Sequence, residues 1–402
     1  MKKNVAMTVV VAALGYFVDI YDLILFSIVR VPSLKELGFS GDDLLKIGVH
    51  LLNMQMIGML VGGIIWGVLG DKKGRISVLF GSIFLYSVAN IANAFVTTVP
   101  MYAAMRFMAG LGLAGELGAA ITLVMEIMPK ETRGYGTAIV AAVGVSGAVV
   151  AALVGDYFTW KTAYIVGGVL GLLLLVLRIG IYESGMFHAV QQLNVSKGNL
   201  LMLLKPKARF LKYMCCILIG LPIWYTIGIL ITFSPEISRE LNLVGTVVAS
   251  KSVMYSYIGL VIGDFLSGFA SQLLKSRKKI VFIFIILTAF FITTYVFIRG
   301  IPVGYFYFLC MLLGAGVGYW AVFVTMASEQ FGTNLRATVT TTVPNFIRGS
   351  VVPITIGFQT LKDYFSLTHS ALIIGVVCVV IALGALTYLK EPYGKDLSYL
   401  ET

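Results

Sequence analysis

The chain has 402 residues, of which 58% are apolar and only 12% are charged. Soluble proteins carry about 25% charged residues, so this composition excludes an ordinary soluble fold. The net charge of +11 does not indicate a nucleic-acid partner, because the basic residues lie between apolar runs and form no stripe with interleaved aromatics. We expect no metal site and no cofactor, since the histidines are scattered and the cysteines lie inside apolar runs without metal-ligand spacing: Cys215, Cys216, Cys310 and Cys378.

Apolar runs long enough to cross a bilayer predict twelve spans along the chain. Span 1 follows Lys2 and Lys3 directly and resembles a signal peptide. However, it contains Asp19 and Asp22 and is not followed by a clear small-residue cleavage site, which favours a retained helix. The predicted spans cover residues 5–30, 46–70, 75–96, 100–128, 134–157, 159–182, 210–233, 246–274, 279–299, 301–328, 336–359 and 366–389.

The order of the spans predicts two bundles in an all-α membrane protein. Six spans occupy residues 1–182 and six occupy residues 210–390, with a basic linker at 183–209 and a tail at 391–402. Nineteen of the thirty Lys and Arg residues lie in segments on the side of the two termini, against eight on the opposite side. The positive-inside rule therefore predicts an inner-membrane protein with both termini in the cytoplasm.

Two motifs repeat at half the length of the chain. The segment Gly67–Arg75 follows span 2, and a related segment, Gly268–Arg277, follows span 8 at an offset of 201 residues. Glu126 and Arg133 follow span 4, and Glu329 and Arg336 follow span 10 at an offset of 203 residues. Such repeats predict two related six-span halves with a substrate site between them near the bilayer midplane.

The segment between spans 2 and 3 resembles the signature of the major facilitator superfamily. Spans 1, 4 and 11 are most similar to the metabolite:proton symporter group of that superfamily, with the sugar porters next. The resemblance implies two pseudo-symmetric six-helix bundles and alternating access. It also implies a conformational latch at the helix ends formed by Gly67, Asp71, Lys72, Gly74, Arg75, Glu126, Arg133, Glu329 and Arg336. The C-terminal copy has Gln272 in place of the aspartate, and Gly185 after span 6 stands where the group usually has proline.

Ionisable residues inside spans are costly and therefore mark functional hypotheses. Asp19 and Asp22 are three residues apart in span 1, and two such close carboxylates need a cation or a proton. In the resembled group an acid in the first helix pairs with an arginine in the fourth for proton coupling, a role that we assign to Asp22 and Arg106. A static ion pair is the alternative. Glu116 is a candidate second proton site or a contact for a cationic group of the substrate.

Arg348 in span 11 is the candidate anchor for a substrate carboxylate, since arginine binds carboxylates through two hydrogen bonds. The alternative role is a contact with another helix or a backbone carbonyl. Polar and aromatic residues at similar depth are further candidates for the substrate site, although such residues often serve only in packing: Asn53, Gln55, Trp224, Tyr225, Tyr255, Tyr319, Trp320 and Asn345.

The leading functional hypothesis is proton-coupled uptake of a small polar metabolite that carries a carboxylate, either an organic acid or an amino acid or other zwitterion. Export of a drug or siderophore by proton antiport is the first alternative, and a sensor without transport is another. A membrane enzyme is disfavoured because the sequence has no catalytic motif. The expected partners are the substrate, protons and the lipid bilayer, and we expect a monomer.

Overall fold

The structure is a computed structural model, which describes residues 2–128, 133–177 and 201–394. The described residues form helices joined by short loops, and the helices group into twelve spans. The linker residues 183–200 and the tail residues 395–402 lie outside the described residues, as does Arg178. The linker ends earlier than predicted, because the short helix Leu201–Leu204 precedes a span that begins at Lys207.

Seven spans are single helices, and five are divided into two or more pieces. The single helices are Lys2–Glu36 (span 1), Asp43–Lys73 (span 2), Arg75–Asn93 (span 3), Trp160–Leu177 (span 6), Ala249–Leu273 (span 8), Arg277–Phe297 (span 9) and Leu367–Tyr388 (span 12). The divided spans are Val99–Leu113 with Glu116–Ile127 (span 4), Arg133–Val145 with Gly147–Tyr157 (span 5), Lys207–Leu218 with Leu221–Tyr225 and the π-helix Thr226–Ile231 (span 7), Val303–Gly316 with Trp320–Glu329 (span 10), and Thr333–Gly349 with Val351–Lys362 (span 11). A further short helix, Ser234–Glu240, follows span 7.

The twelve-span prediction is confirmed, with boundaries that shift by a few residues. Among the described residues, ten spans are long and apolar enough to cross a membrane, and span 3 contains the shorter apolar helix Ser77–Asn93. Span 11 is absent from this set because its first part, Thr333–Gly349, is rich in polar residues. Span 1 extends past its predicted end at residue 30 to Glu36, since its helix continues through Pro32.

The surface and the interior have the distribution of polarity that a bilayer requires. Large apolar side chains such as Phe84, Val176 and Phe265 are exposed around the bundle, whereas charged side chains such as Asp19 and Arg106 are fully buried. Every spanning segment is helical, so its backbone hydrogen bonds are satisfied internally without water. The buried charges lie between the helices, where neighbouring side chains replace water.

The two halves contact each other along a few pairs of spans. Span 11 packs against spans 2 and 4, and span 8 packs against spans 1 and 5. Within the halves, span 2 packs against span 4, and span 8 packs against span 10. Glycines allow the closest of these approaches. A Cβ atom on Gly263 in span 8 would lie 2.3 Å from the backbone oxygen of Ala315 in span 10. This packing places the middle parts of spans 1, 7, 8, 10 and 11 around one central cavity.

Candidate functional site

Arg348 is the centre of a buried polar cluster between the two halves. Its side chain is fully buried, and its Nη2 atom lies 3.9 Å from Oδ2 of Asp19 in span 1. Its Nη1 atom donates a long hydrogen bond of 3.3 Å to Oδ1 of Asn345. The neighbouring Nε and Nη2 atoms have no hydrogen-bond acceptor within the described part of the chain. These two donors form one edge of the guanidinium group, which is the edge that binds a carboxylate through two parallel hydrogen bonds.

Two indole rings flank the guanidinium group of Arg348. The Cζ atom lies 5.6 Å from the ring centre of Trp224 and 5.7 Å from that of Trp320. The two indoles meet edge to face at 6.4 Å, and Trp320 Nε1 donates to the hydroxyl oxygen of Tyr16 across the two halves at 2.9 Å. The aromatic rings stabilise the buried cation while leaving its free edge available.

A cavity of about 20 Å³ lies against Arg348, Trp224 and Trp320, and we call it the central cavity. Both halves line it, since Tyr16 and Val145 come from the first half and Tyr257 from the second. A volume of this size holds about one water molecule. A metabolite can therefore occupy the central cavity only after the two halves have moved apart.

Asp22 belongs to a second buried cluster within the first half. Arg106 from span 4 is near enough to interact electrostatically with Asp22, but no hydrogen bond joins the two within the described residues. The guanidinium group of Arg106 lies over the rings of Phe26 and Tyr164, 5.3 Å and 5.6 Å from their centres. Gly167 in span 6 packs directly on Asp22, because a Cβ atom there would lie 2.0 Å from Oδ1. The structure thus places the two acids of span 1 beside different arginines.

Contacts between the halves close the central cavity on the side opposite the termini. Buried Arg30 donates from Nη2 to both carboxylate oxygens of Glu236, at 2.8 Å and 3.0 Å, and lies over the ring of Phe233. Farther along this side, Thr355 donates to Asn53 at 2.8 Å, which joins spans 2 and 11. Sequence reasoning missed Arg30 as a buried residue because span 1 was expected to end there.

Close helix packing closes the cavity on the side of the termini. Gly67 in span 2 lies against Thr338 and Thr342 in span 11, and Gly118 in span 4 lies against Thr341. Asn345 donates 2.8 Å to the backbone oxygen of Ala114 at the break in span 4. In this arrangement the central cavity is too small for a metabolite.

The remaining substrate-site candidates lie outside the lining of the central cavity. Gln55 donates to the backbone oxygen of Leu23, Tyr225 donates to that of Ala371, and Tyr319 donates to that of Ile219. Tyr255 stacks on Tyr307 with ring centres 5.6 Å apart. Each of these residues joins helices to one another in this arrangement. Glu116 is fully buried at the start of the second half of span 4.

The latch candidates are only partly described. Gly74 has a φ of 97° between spans 2 and 3, a left-handed conformation that favours glycine, and Lys72 is exposed. Oε2 of Glu329 lies 3.5 Å from Nε of Arg277, the first residue of span 9. Arg336 is buried. The side chains of four candidates lie outside the described residues: Asp71, Arg75, Glu126 and Arg133.

Asp264 in span 8 is a buried carboxyl that the sequence reasoning did not select. Its Oδ1 atom accepts a hydrogen bond from the backbone N–H of Ala321 at 3.0 Å, directly beside Trp320. The signal that identifies it is the one used for Asp22, namely an ionisable residue inside an apolar span.

The fold and the family are settled by comparison with known proteins. The sequence profile of the Major Facilitator Superfamily matches residues 12–354. The chain belongs to this superfamily. A solved structure of a proton:xylose symporter bound to 6-bromo-6-deoxy-D-glucose superposes with a TM-score of 0.75 at 16% identity, covering 99% of this chain and 98% of that chain. At that identity the match shows the same fold, a multi-pass transporter fold of twelve spans.

Curated relatives of this superfamily member are named as transporters of small metabolites. A Bacillus subtilis protein named for niacin/nicotinamide transport is 26% identical and covers 92% of this chain and 94% of its own length. A 4-hydroxybenzoate transporter from Pseudomonas putida is 30% identical over 162 residues, which are 39% of this chain and 36% of its own length. The chain is therefore a metabolite transporter and not an enzyme, as the sequence indicated.

Proposed function

We propose that this transporter carries out proton-coupled uptake of a small aromatic monocarboxylate across the inner membrane, with both termini in the cytoplasm. The observation that carries the proposal is the free Nε and Nη2 edge of buried Arg348, which lies on the central cavity between two indole rings. A carboxylate binds this edge through two charge-assisted hydrogen bonds. Among the described residues that line the central cavity, no other side chain is cationic.

The flanking indoles favour a planar substrate. Trp224 and Trp320 line the cavity on either side of the cation, so a flat ring attached to the carboxylate would lie against an aromatic face. Niacin and 4-hydroxybenzoate, after which two relatives are named, are both flat rings with one carboxylate. A substrate of this class would fit between the two halves once the halves separate.

Charge balance supplies the reason for proton coupling. The two clusters contain two acids of span 1 and two arginines, so Asp19 and Asp22 balance Arg348 and Arg106. A substrate carboxylate that binds Arg348 displaces Asp19 and adds one negative charge to a region without water. One proton taken up by a carboxyl of span 1 removes this charge, because buried unpaired carboxylates are costly. We assign that proton to Asp22, with Asp19 as the group that competes with the substrate.

The decisive experiment is uptake into proteoliposomes with an imposed pH gradient, alkaline inside. We expect accumulation of radiolabelled niacin or 4-hydroxybenzoate that a protonophore abolishes, and no accumulation of nicotinamide, which has the same ring but no carboxylate. Accumulation driven only by the opposite gradient would instead establish proton antiport and export. Equal transport of niacin and nicotinamide would refute the carboxylate role of Arg348.

A further inference from the structure

Asp264 is buried inside the C-terminal half, and one of its carboxylate oxygens accepts no hydrogen bond from the described residues. The residue is 2% exposed. Oδ1 accepts the hydrogen bond from Ala321, whereas Oδ2 has no hydrogen-bond partner within residues 2–128, 133–177 and 201–394. A buried oxygen without a partner is costly for a charged carboxylate and is the natural place for a proton.

The carboxyl contacts the point where span 10 is interrupted. The first part of span 10 ends at Gly316, and the second part begins at Trp320. A Cβ atom on Gly318 would lie only 2.5 Å from the Cα atom of Gly263, so no side chain separates the backbones of spans 8 and 10. The amino end of the second part carries a partial positive charge, and an ionised Asp264 would stabilise it there.

Two cavities lie beside the break in span 10, although Asp264 itself lines neither of them. Trp320 lines the central cavity, and the next residue, Ala321, lines a second cavity of about 300 Å³, which we call the lateral cavity. The lateral cavity has a mostly apolar lining, which extends along span 8 from Phe265 to Gln272 and includes Thr137 of span 5 and Arg277 at the start of span 9.

We propose that Asp264 is a second proton-binding site, which controls the position of Trp320 through its contact with the break in span 10. In the ionised form its carboxylate holds the amino end of the second part of span 10 by a charge-assisted hydrogen bond. Transfer of one proton from a hydronium ion to Oδ2, which leaves a water molecule, makes this bond neutral and roughly halves its strength. Trp320 then moves more freely, and its 2.9 Å bond to Tyr16 across the two halves weakens.

Few other titratable groups compete for this role. Among the described elements packed against span 8, span 1 presents Tyr16 nearest to Asp264, and the neighbouring turns of span 8 present Tyr257. The other charged or titratable groups on those elements contact residues elsewhere: Asp22 interacts with Arg106, Arg30 with Glu236, Asp156 with Ser250, Cys310 with Ser252, Tyr295 with Leu230, Tyr307 with Val248, and Arg277 with Ser271 and Glu329. Arg348 lies across the central cavity beside Asp19.

The test follows Trp320 fluorescence in purified, substrate-free protein during a pH titration. Subtracting the emission of Trp320→Phe from that of the wild type isolates the Trp320 signal. We expect this signal to shift with pH in the wild type. In Asp264→Asn it should stay at the wild-type acid value at every pH, since the amide imitates the protonated carboxyl. A flat wild-type signal, or an Asp264→Asn signal that titrates as the wild type does, would overturn the proposal.

Three further variants complete the test. Asp363→Asn, an exposed acid beyond span 11, should titrate as the wild type does. Asp264→Glu should retain a titration with a displaced midpoint, and its loss would count against the proposal even where Asp264→Asn fails to fold. The proposal rests on the proposed proton coupling, but the measurement needs no substrate. Asp22→Asn should leave the Trp320 titration intact. The proposal for Asp264 can therefore fail while proton coupling by Asp22 holds, and the reverse is also true.

Discussion

Replacing Arg348 with lysine tests the carboxylate anchor most directly. Lysine keeps the positive charge beside Asp19, so the buried acid retains a cation 3.9 Å or somewhat farther away. However, the three N–H donors of lysine diverge from one nitrogen and cannot make the two parallel hydrogen bonds that the free edge of Arg348 offers from Nε and Nη2. A hydrogen bond to a charged group contributes about 1.5–3 kcal/mol, so the Kd for a carboxylate should rise by about 10- to 150-fold.

Isothermal titration calorimetry with niacin and nicotinamide measures this effect on the solubilised protein. The loss should be confined to niacin, because only the acid uses both donors as a carboxylate. Arg239→Lys, an exposed arginine after span 7, is the matched control and should leave both affinities unchanged. Asp19→Asn should tighten niacin binding, since it removes the competing carboxylate. An unchanged niacin Kd in Arg348→Lys would refute the reasoning.

Three other variants test the remaining parts of the structure. Asp22→Asn should abolish niacin accumulation driven by a pH gradient but retain counterflow exchange, and full accumulation would contradict the assignment of the proton. Gly118→Ala places a Cβ atom 2.0 Å from Thr341 Oγ1, so overpacking should destabilise the protein by about 1–3 kcal/mol and lower its Tm. Gly384 has open space around it, so Gly384→Ala should leave the Tm unchanged. Burial raises the pKa of the Glu391 carboxyl, but hydrogen bonds from the Ser276 hydroxyl and from backbone N–H groups lower the pKa below its usual value overall. The stabilisation from Glu391 should therefore be present above the unfolded pKa of about 4.3 and be lost as pH falls through the lower folded pKa, a change that Glu391→Gln should remove from thermal unfolding curves.

The span pattern could be predicted because apolar length is a property of the local sequence. Interruptions within spans were not predicted, since the breaks at Ser350 and between Gly316 and Trp320 depend on packing with other helices. Span 1 was expected to stop near Arg30, yet its helix continues through Pro32, because proline does not force a stop when tertiary contacts hold the chain.

The spacing of Asp19 and Asp22 in span 1 could not predict that each acid lies beside a different arginine. Residues three apart on a helix differ by about 60° around its axis, so Asp19 and Asp22 lie on one broad face but can meet different neighbours. Only the packing of span 11 on one side and span 4 on the other places Arg348 by Asp19 and Arg106 by Asp22. The sequence identified these four residues as unusual, and their partners required the tertiary structure.

Span 11 has a consequence for how the protein is made. It is interrupted and polar, and it carries Arg348 in its first part, so it would enter a bilayer poorly when it leaves the ribosome. Its threonines and Asn345 find their partners on spans 2 and 4, which are synthesised long before it. We therefore expect span 11 to insert after the N-terminal bundle has formed, because that bundle supplies its polar contacts. Substitutions at Gly63 or Gly67 should then appear first as defects in membrane integration and biogenesis, before any effect on transport is measured.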